Sequence, residues 1–271
     1  MTLNVPMDKK LFAIFGDPVA HSRSPLMHNH TFRVLGFEGC YTRIRLEDGK
    51  RLRDVFLANK LSGANVTVPH KEAAFNACDE VRGFAREVGV VNTVVEENGR
   101  LVGYNTDADG FLFAVRDFLP LETVLILGAG GTARALAKRL RTEGMQVHVL
   151  NRSTERLRPF ADDGFGVATW ESFTPKAFDL VVNTTSAGLQ DDALPAPEKL
   201  LRPLLEGARY AADAIYGKTT PFLAMCQALG LPAIDGAEML LGQGVLAHAL
   251  FTGGRFDNDV IERAMRESFV L

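Results

Sequence analysis

Thr123-Val124-Leu125-Ile126-Leu127-Gly128-Ala129-Gly130-Gly131-Thr132-Ala133-Arg134-Ala135-Leu136 reads as a wholly apolar strand, a glycine-rich turn and the opening of a helix. In that order the backbone N–H groups at the helix N-terminus, where the helix dipole is positive, can receive a pyrophosphate. A Gly-x-Gly alone is a weak signal. Here the flanking strand and helix are both clear, and Ala133 stands where a third small residue allows close packing. Gly128, Ala129, Gly130, Gly131, Thr132 and Ala133 are therefore expected to hold a dinucleotide.

The next strand, Gln146 to Leu150, should end at the adenosine ribose, where NAD enzymes place an acid on the 2′-hydroxyl. This chain has Asn151-Arg152-Ser153 there, with Arg156 one turn on and no acid. Guanidinium groups suit a 2′-phosphate through charge and planar hydrogen bonding, so NADP is expected rather than NAD. Surface arginines at a helix start would explain the charge but not the missing acid. Two more apolar strands, Phe178 to Val182 and Tyr210 to Ile215, complete the sheet of this half. The first runs into Asn183-Thr184-Thr185-Ser186-Ala187-Gly188, small polar residues at a strand carboxyl end, where a nicotinamide would lie beside Thr184 and Ser186.

Upstream, the chain shows a β-α-β rhythm. Strands are expected at Lys10 to Phe15, Gly39 to Ile44 and Gly63 to Val68, with helices from Ser24-Pro25 to Leu35, Leu46 to Asn59 and Pro69 to Cys78. Ser24 suits an N-cap and Pro25 the first helical position, so Ser22 and Ser24 put two hydroxyls where a carboxylate or phosphate can bind. Asn65 and Thr67 share one strand face, and Lys71 falls in the first helical turn that follows, a place where an ammonium is disfavoured. A hairpin comes next, Val90 to Val95 and Arg100 to Tyr104 about the turn Asn98-Gly99. Asn92 at its start and Asn105-Thr106-Asp107 at its exit are expected to face the strand end before Lys71, with Lys71 and Asp107 as a proton-transfer dyad. Each feature alone also has a plain explanation: a cap, a solvated lysine, a weak surface ion pair.

A helix from Asp107 to Phe118 leads into the dinucleotide half. After Asp235-Gly236 an apolar helix ends at Gly253-Gly254, and an amphipathic helix runs to Phe269; this pair is expected to cross back to the first half. The fold class is α/β, with a mixed, mostly parallel substrate domain over residues 1–106 and 239–271 and a Rossmann-type NADP domain over 107–238. With 271 residues, 46% hydrophobic, 23% charged and net charge -3, the chain has room for two cores and no basic excess for nucleic acid. No apolar run approaches the ~20 residues that span a bilayer. Cys40, Cys78 and Cys226 lie far apart with no C-x-x-C, and His21, His28 and His30 lack partners, so neither a disulfide framework nor a metal site is expected. Met1 to Lys10 has no apolar leader segment, which points to the cytoplasm.

The motifs gather into one pattern. Gly16-Asp17-Pro18-Val19-Ala20-His21-Ser22-Arg23-Ser24-Pro25, the stretch Asn65 to Lys71, Gly89-Val90-Val91-Asn92-Thr93, Gly103-Tyr104-Asn105-Thr106-Asp107, the glycine turn, Asn151-Arg152-Ser153 and Gly236-Ala237-Glu238-Met239-Leu240-Leu241-Gly242-Gln243 together resemble the shikimate dehydrogenase family. The resemblance spans essentially the whole chain, and the stretch around Lys71 is highly specific to it. It implies NADPH-dependent reduction of 3-dehydroshikimate to shikimate by a monomer or homodimer. It further implies that Ser22 and Ser24 hold the substrate carboxylate, that Asn65, Thr67, Asn92, Asp107 and Gln243 bond the ring hydroxyls, and that Tyr216 lies near carboxylate and cofactor. Lys71 and Asp107 would be the catalytic pair. Asn151, Arg152, Ser153 and Arg156 would hold the phosphorylated ribose, and Gly236 and Met239 would border the nicotinamide. Departures from the family pattern are Arg23 between the serines, Thr184, Leu189, Ser153, and Gly217-Lys218 after Tyr216. Two alternatives stand beside this reading: an NAD-using quinate/shikimate dehydrogenase, and a non-catalytic NADP-binding regulator.

Overall fold

A computed structural model describes residues 9–271, which form two compact units. Unit 1 holds the chain up to Thr106 together with Leu241–Leu271, and unit 2 is Asp107–Leu240. The stretch inspected above for a leader lies, up to residue 8, outside the described residues.

Unit 1 contains strands β1 (Lys10–Gly16), β2 (Gly39–Arg45), β3 (Gly63–Val66), β4 (Glu80–Val81), β5 (Thr93–Glu97) and β6 (Arg100–Tyr104), in the order β2-β1-β3-β5-β6-β4. β1 runs parallel to β2 and β3, whereas β5 is antiparallel to both β3 and β6. The β5–β6 hairpin turns on Asn98 and Gly99, whose φ of 54° and 79° are the left-handed values that a tight hairpin needs. Buried on both faces, β1 sends Ala13 and Phe15 into one core with Phe56, Val66 and Val94, and Phe12 and Ile14 into another with Phe32, Tyr41 and Phe251. Phe251 and Ala247 belong to the Ala237–Phe251 helix, so the C-terminal helices do return to the first unit's core.

Local chemistry moves several expected boundaries. The first helix is Ser24–Val34 with Arg23 at the N-cap position, so Ser24 is not the cap. Ser22 takes that part instead: its Oγ accepts from the Ser24 N–H at 3.3 Å and donates to Ser24 Oγ at 3.2 Å. The helix expected over Leu46 to Asn59 is interrupted, because Asp48 accepts from the Lys50 N–H and sets a 3₁₀ turn at Gly49–Arg51 before the Leu52–Ala58 helix. The strand expected to reach Val68 is regular only to Val66, although the Thr67 N–H still donates to Phe15 O at 2.8 Å and Val68 O accepts the Asp17 N–H at 3.1 Å, ahead of Pro69, which has no N–H to give. Arg23 turns to the C-terminal end of the chain, donating to Ser268 O at 3.1 Å with its guanidinium 5.6 Å from the Phe269 ring centre.

Behind β2, His28 and His248 meet Nδ1 to Nδ1 at 3.1 Å with rings 4° from parallel, and His28 stacks on Tyr41 at 4.5 Å. One ring must donate and the other accept, so the two are never both protonated while they meet. Burial, then repulsion from a charged His248, holds His28 well below 6.5, and burial takes His248 to about 3. A histidine depressed in the folded state contributes stability that is complete above pH 6.5 and is lost as pH falls towards 3. Denaturant midpoints are expected to fall across that window, and to fall less steeply in His248→Met. Equal slopes in both proteins would remove the pair as the cause.

Unit 2 contains β7 (Thr123–Leu127), β8 (Gln146–Asn151), β9 (Gly166–Thr169), β10 (Phe178–Asn183), β11 (Ala208–Asp213) and β12 (Ala233–Ile234), all parallel in the order β12-β11-β10-β7-β8-β9. The order reverses at β7, the place where open α/β sheets bind ligands outside their strand ends. One face packs Val124 and Ile126 against Leu136, Leu140 and Phe160; the other packs Leu125 and Leu127 against Leu201, Leu204 and Phe222. The helices Thr154–Asp162 and Glu198–Glu206 were hidden by internal prolines, Pro159 and Pro203. Burial of Leu157 and Phe160 in one, and of Leu201 and Leu204 in the other, overrides that local cost. Trp170 packs on the second of these cores. Among the described residues no helix is long and apolar enough to cross a membrane.

Candidate active site

A continuous polar run threads the end of the unit 1 sheet. Asn65, 5% exposed at the end of β3, accepts the Tyr41 hydroxyl on Oδ1 at 2.7 Å. Its Nδ2 donates to Thr93 Oγ1 at 3.1 Å and to Asn92 O at 3.3 Å. Since a carbonyl can only accept, the amide nitrogen must face Asn92 and Tyr41 must donate. Burial raises the Tyr41 phenol well above 10, so the donor persists at any ordinary pH. Asn92 continues the run, donating to Thr106 Oγ1 at 3.0 Å and accepting the Thr106 N–H at 2.8 Å. Tyr41, Asn65, Thr93, Asn92 and Thr106 thus form one connected, buried set, the buried Ser22 and Ser24 form a separate hydroxyl pair, and Asp107 follows Thr106 at the start of the Asp107–Ala114 helix, where the dipole favours a carboxylate.

Lys71 is half-buried at the first position of the Lys71–Ala77 helix, and its carbonyl accepts the Val91 N–H at 3.0 Å. The Val66 N–H donates to Asn92 O at 2.8 Å, which ties the end of β3 to the same segment. His70, buried beside it, bonds through Nε2 to Leu46 O and anchors the helix start from the other side. Thr67 is half-buried, its methyl 2.5 Å from where a Cβ on Gly16 would lie, so Gly16 gives it room. Ser22 O is held by the Arg43 guanidinium, with Nε at 3.0 Å. Gln243 is half-buried in the part of the Ala237–Phe251 helix that belongs to unit 1.

In unit 2 the Gly131–Thr142 helix begins directly after β7, and Gly130 at its N-cap position has no side chain with which to cap it. A Cβ on Gly130 or Gly131 would meet nothing within 4 Å, so the turn is open on the side where those side chains would stand. Gly128 has φ +102°, and a Cβ there would sit 2.9 Å from Thr185 Cγ2, so glycine is required. Ala133 is fully buried, in keeping with its close-packing part. At the end of β8, Asn151 Nδ2 donates to Ser153 O at 3.1 Å and Ser153 Oγ at 3.2 Å, shaping a turn from which Arg152 and Arg156 stand exposed. Thr184 is anchored by its hydroxyl to Leu127 O at 2.8 Å, Ser186 is exposed and Tyr216 half-buried. Buried Gly236 lies against the Ala214 carbonyl, too close for any Cβ, and Met239 packs against the core below β7. An uncapped helix N-terminus with open space, followed by two exposed guanidiniums at the next strand end, fits a dinucleotide with a further phosphate.

Sequence reading assigned no part to Tyr41 and Thr93, and named Thr106 only as a neighbour of Asp107; these three fix the expected ligating side chains from behind. Comparison with known proteins bears on the family. Residues 14–94 match the family described as shikimate dehydrogenase substrate binding domain, and residues 114–187 the family described as shikimate / quinate 5-dehydrogenase. The NADP(+) shikimate dehydrogenase of Helicobacter hepaticus is 45% identical over 96% of this chain and 97% of its own length. The shikimate 5-dehydrogenase of Thermus thermophilus, solved with NADP(H) and shikimate, superimposes with a TM-score of 0.82 at 39% identity, covering 96% of this chain and 99% of that one. Shikimate dehydrogenase of Aquifex aeolicus gives 0.84 at 33% identity, covering 97% and 99%. With the motifs, the sheet topologies and relatives of full length all in agreement, the chain belongs to the shikimate dehydrogenase family.

Proposed function

We propose that this chain is an NADP-dependent oxidoreductase that interconverts 3-dehydroshikimate and shikimate. The buried Tyr41-to-Thr106 polar run, with the Ser22–Ser24 hydroxyl pair in the same unit, carries the reading, because a small polyhydroxylated acid needs many fixed hydrogen-bonding groups in a small space. Ser22 and Ser24 are assigned to its carboxylate, and Asn65, Thr67, Asn92, Asp107 and Gln243 to its hydroxyls, with Tyr216 near carboxylate and cofactor. Gly128 to Ala133 take the pyrophosphate; Asn151, Arg152, Ser153 and Arg156 the phosphorylated ribose; Thr184, Ser186, Gly236 and Met239 the nicotinamide side.

NADPH, when bound, supplies a hydride to the ketone carbon. The carbonyl oxygen then gains negative charge, and Lys71 as ammonium donates the proton that neutralises it. Asp107 is assigned the carboxylate that keeps the ammonium charged and aimed. In the reverse direction the neutral amine accepts the hydroxyl proton. The reading also carries a cytoplasmic protein acting as monomer or homodimer; sedimentation at working concentration distinguishes the two states.

The test is NADP⁺ reduction with shikimate, beside the same assay with quinate and with NAD⁺. Turnover with shikimate and NADP⁺ at least ~10-fold above the other pairs is the expected result, since quinate brings an extra hydroxyl on a saturated ring that these fixed groups must accommodate, and NAD⁺ lacks the phosphate that pairs the guanidiniums. Preference for quinate or NAD⁺ would overturn the substrate or cofactor assignment. Saturable NADPH binding without turnover on any pair would replace the enzyme with a regulator.

A further inference from the structure

Strands β10 and β11 lie side by side and end in register on Asn183 and Asp213, both buried, with Asp213 2% exposed. A carboxylate in such a place is costly unless donors surround it. Its Oδ1 accepts from Asn183 Nδ2 and from the Ile215 backbone N–H, each at 3.0 Å, and its Oδ2 accepts from the Thr220 hydroxyl at 2.6 Å. These donors come from three segments: the end of β10, the turn after β11 that bears Tyr216, and the N-terminus of the Pro221–Ala228 helix. Thr220 in turn accepts the Leu223 N–H at 3.2 Å and so caps that helix.

The constraint extends beyond the carboxylate. With its nitrogen committed to Asp213, Asn183 must present Oδ1 to Thr185, whose N–H and hydroxyl donate to it at 3.0 Å and 2.8 Å. Thr185 Oγ1 then accepts the Ala187 N–H at 3.2 Å. The Thr185 methyl is the atom that a Cβ on Gly128 would meet at 2.9 Å, so Thr185 forms the wall of the glycine turn. Gly188 closes the segment against Pro221 and Thr220, where its own Cβ would lie 2.9 Å from the proline ring.

We propose that Asp213 is a positioning residue for the cofactor: through Asn183 and Thr185 it fixes the wall of the glycine turn, and through Ile215 and Thr220 it fixes the turn bearing Tyr216. This rests on the glycine turn as a dinucleotide site and is independent of which substrate the enzyme reduces. Asp213 acts through its neighbours, so its loss lowers cofactor affinity rather than removing a reacting group.

The experiment titrates NADPH into the full-length protein without substrate, following nicotinamide fluorescence, for wild type, Asp213→Ala, Asp213→Asn and Thr185→Val. Asp213→Ala is expected to raise Kd by about 10-fold or more, the factor that one lost buried hydrogen bond of ~1.4 kcal/mol gives. Asp213→Asn keeps an oxygen for Asn183 and Ile215 and offers its N–H to Thr220 Oγ1, so a Kd within about 3-fold of wild type is expected, half an order of magnitude being the loss of a weak contact. Thr185→Val preserves shape and keeps the proposal testable should Asp213→Ala not fold; its Kd is expected to rise about 5-fold. Variants that fold and bind NADPH as wild type does, even with a lower melting temperature, overturn the proposal and leave the dinucleotide site intact. A wild-type protein that binds no NADPH overturns both.

Discussion

Lys71→Ala is expected to lower turnover by roughly 10²–10⁴, the range of a positioned proton donor, with a smaller change in KM for shikimate. The asymmetry follows from the charge history of the reaction. The ketone oxygen is neutral in the bound ground state and becomes strongly basic only as hydride arrives, so an ammonium is most valuable late. Lys71 is also held for the task. Its helix starts at Lys71 itself, with His70 tied to Leu46 on one side and the Lys71 carbonyl to Val91 on the other. Removing the side chain leaves both of those bonds in place, so the helix start is expected to keep its position. Steady-state kinetics in both directions check the prediction, and wild-type turnover in the variant would sink the proton-donor role.

Arg152→Ala is expected to reduce kcat/KM for NADP⁺ by about 10–100-fold, the value of a charge-assisted hydrogen bond of ~1.5–3 kcal/mol, and to leave NAD⁺ almost untouched. The turn does not depend on this side chain. Asn151 builds it by donating to Ser153, while Arg152 stands exposed. Loss of the guanidinium therefore removes charge without reshaping the site. Arg156 stays exposed one turn on and retains part of the preference, so the double variant is expected to favour neither cofactor strongly. If NADP⁺ and NAD⁺ weaken equally, the 2′-phosphate assignment of Arg152 fails.

Features dictated by local chemistry were legible in the sequence. The glycine turn had to follow an apolar strand and open a helix, and Asn98-Gly99 had to be a hairpin turn, because few other residues adopt those backbone angles. The missing acid at the end of β8 was equally plain. Features that depend on distant partners were not. Tyr41 orients Asn65 across 24 residues of sequence, and His28 meets His248 across 220. Arg23 displays only a charge in the sequence, and its partner is a carbonyl 245 residues away. Ser22 and Ser24 exchanged roles because either hydroxyl can serve a helix start, and one residue of helix phase decides between them. Asp213 fell inside the strand expected over Tyr210 to Ile215, and only the structure ends β11 on it beside Asn183 at the end of β10. Two buried polar residues at adjacent strand ends are a signal worth reading as a network.

Asn29 is a small part of the first helix with a consequence for the molecule's behaviour in a crowded solution. Its side-chain oxygen accepts the Tyr41 N–H and its nitrogen donates to the Tyr41 carbonyl, each at 2.8 Å. A single amide thereby imitates a neighbouring strand at the middle of β2, one of the two edge strands of its sheet. An open edge strand invites pairing with another chain and, from there, aggregation. By occupying those two backbone groups, Asn29 removes one donor and one acceptor from this edge, so another chain finds no template for pairing at the middle of β2.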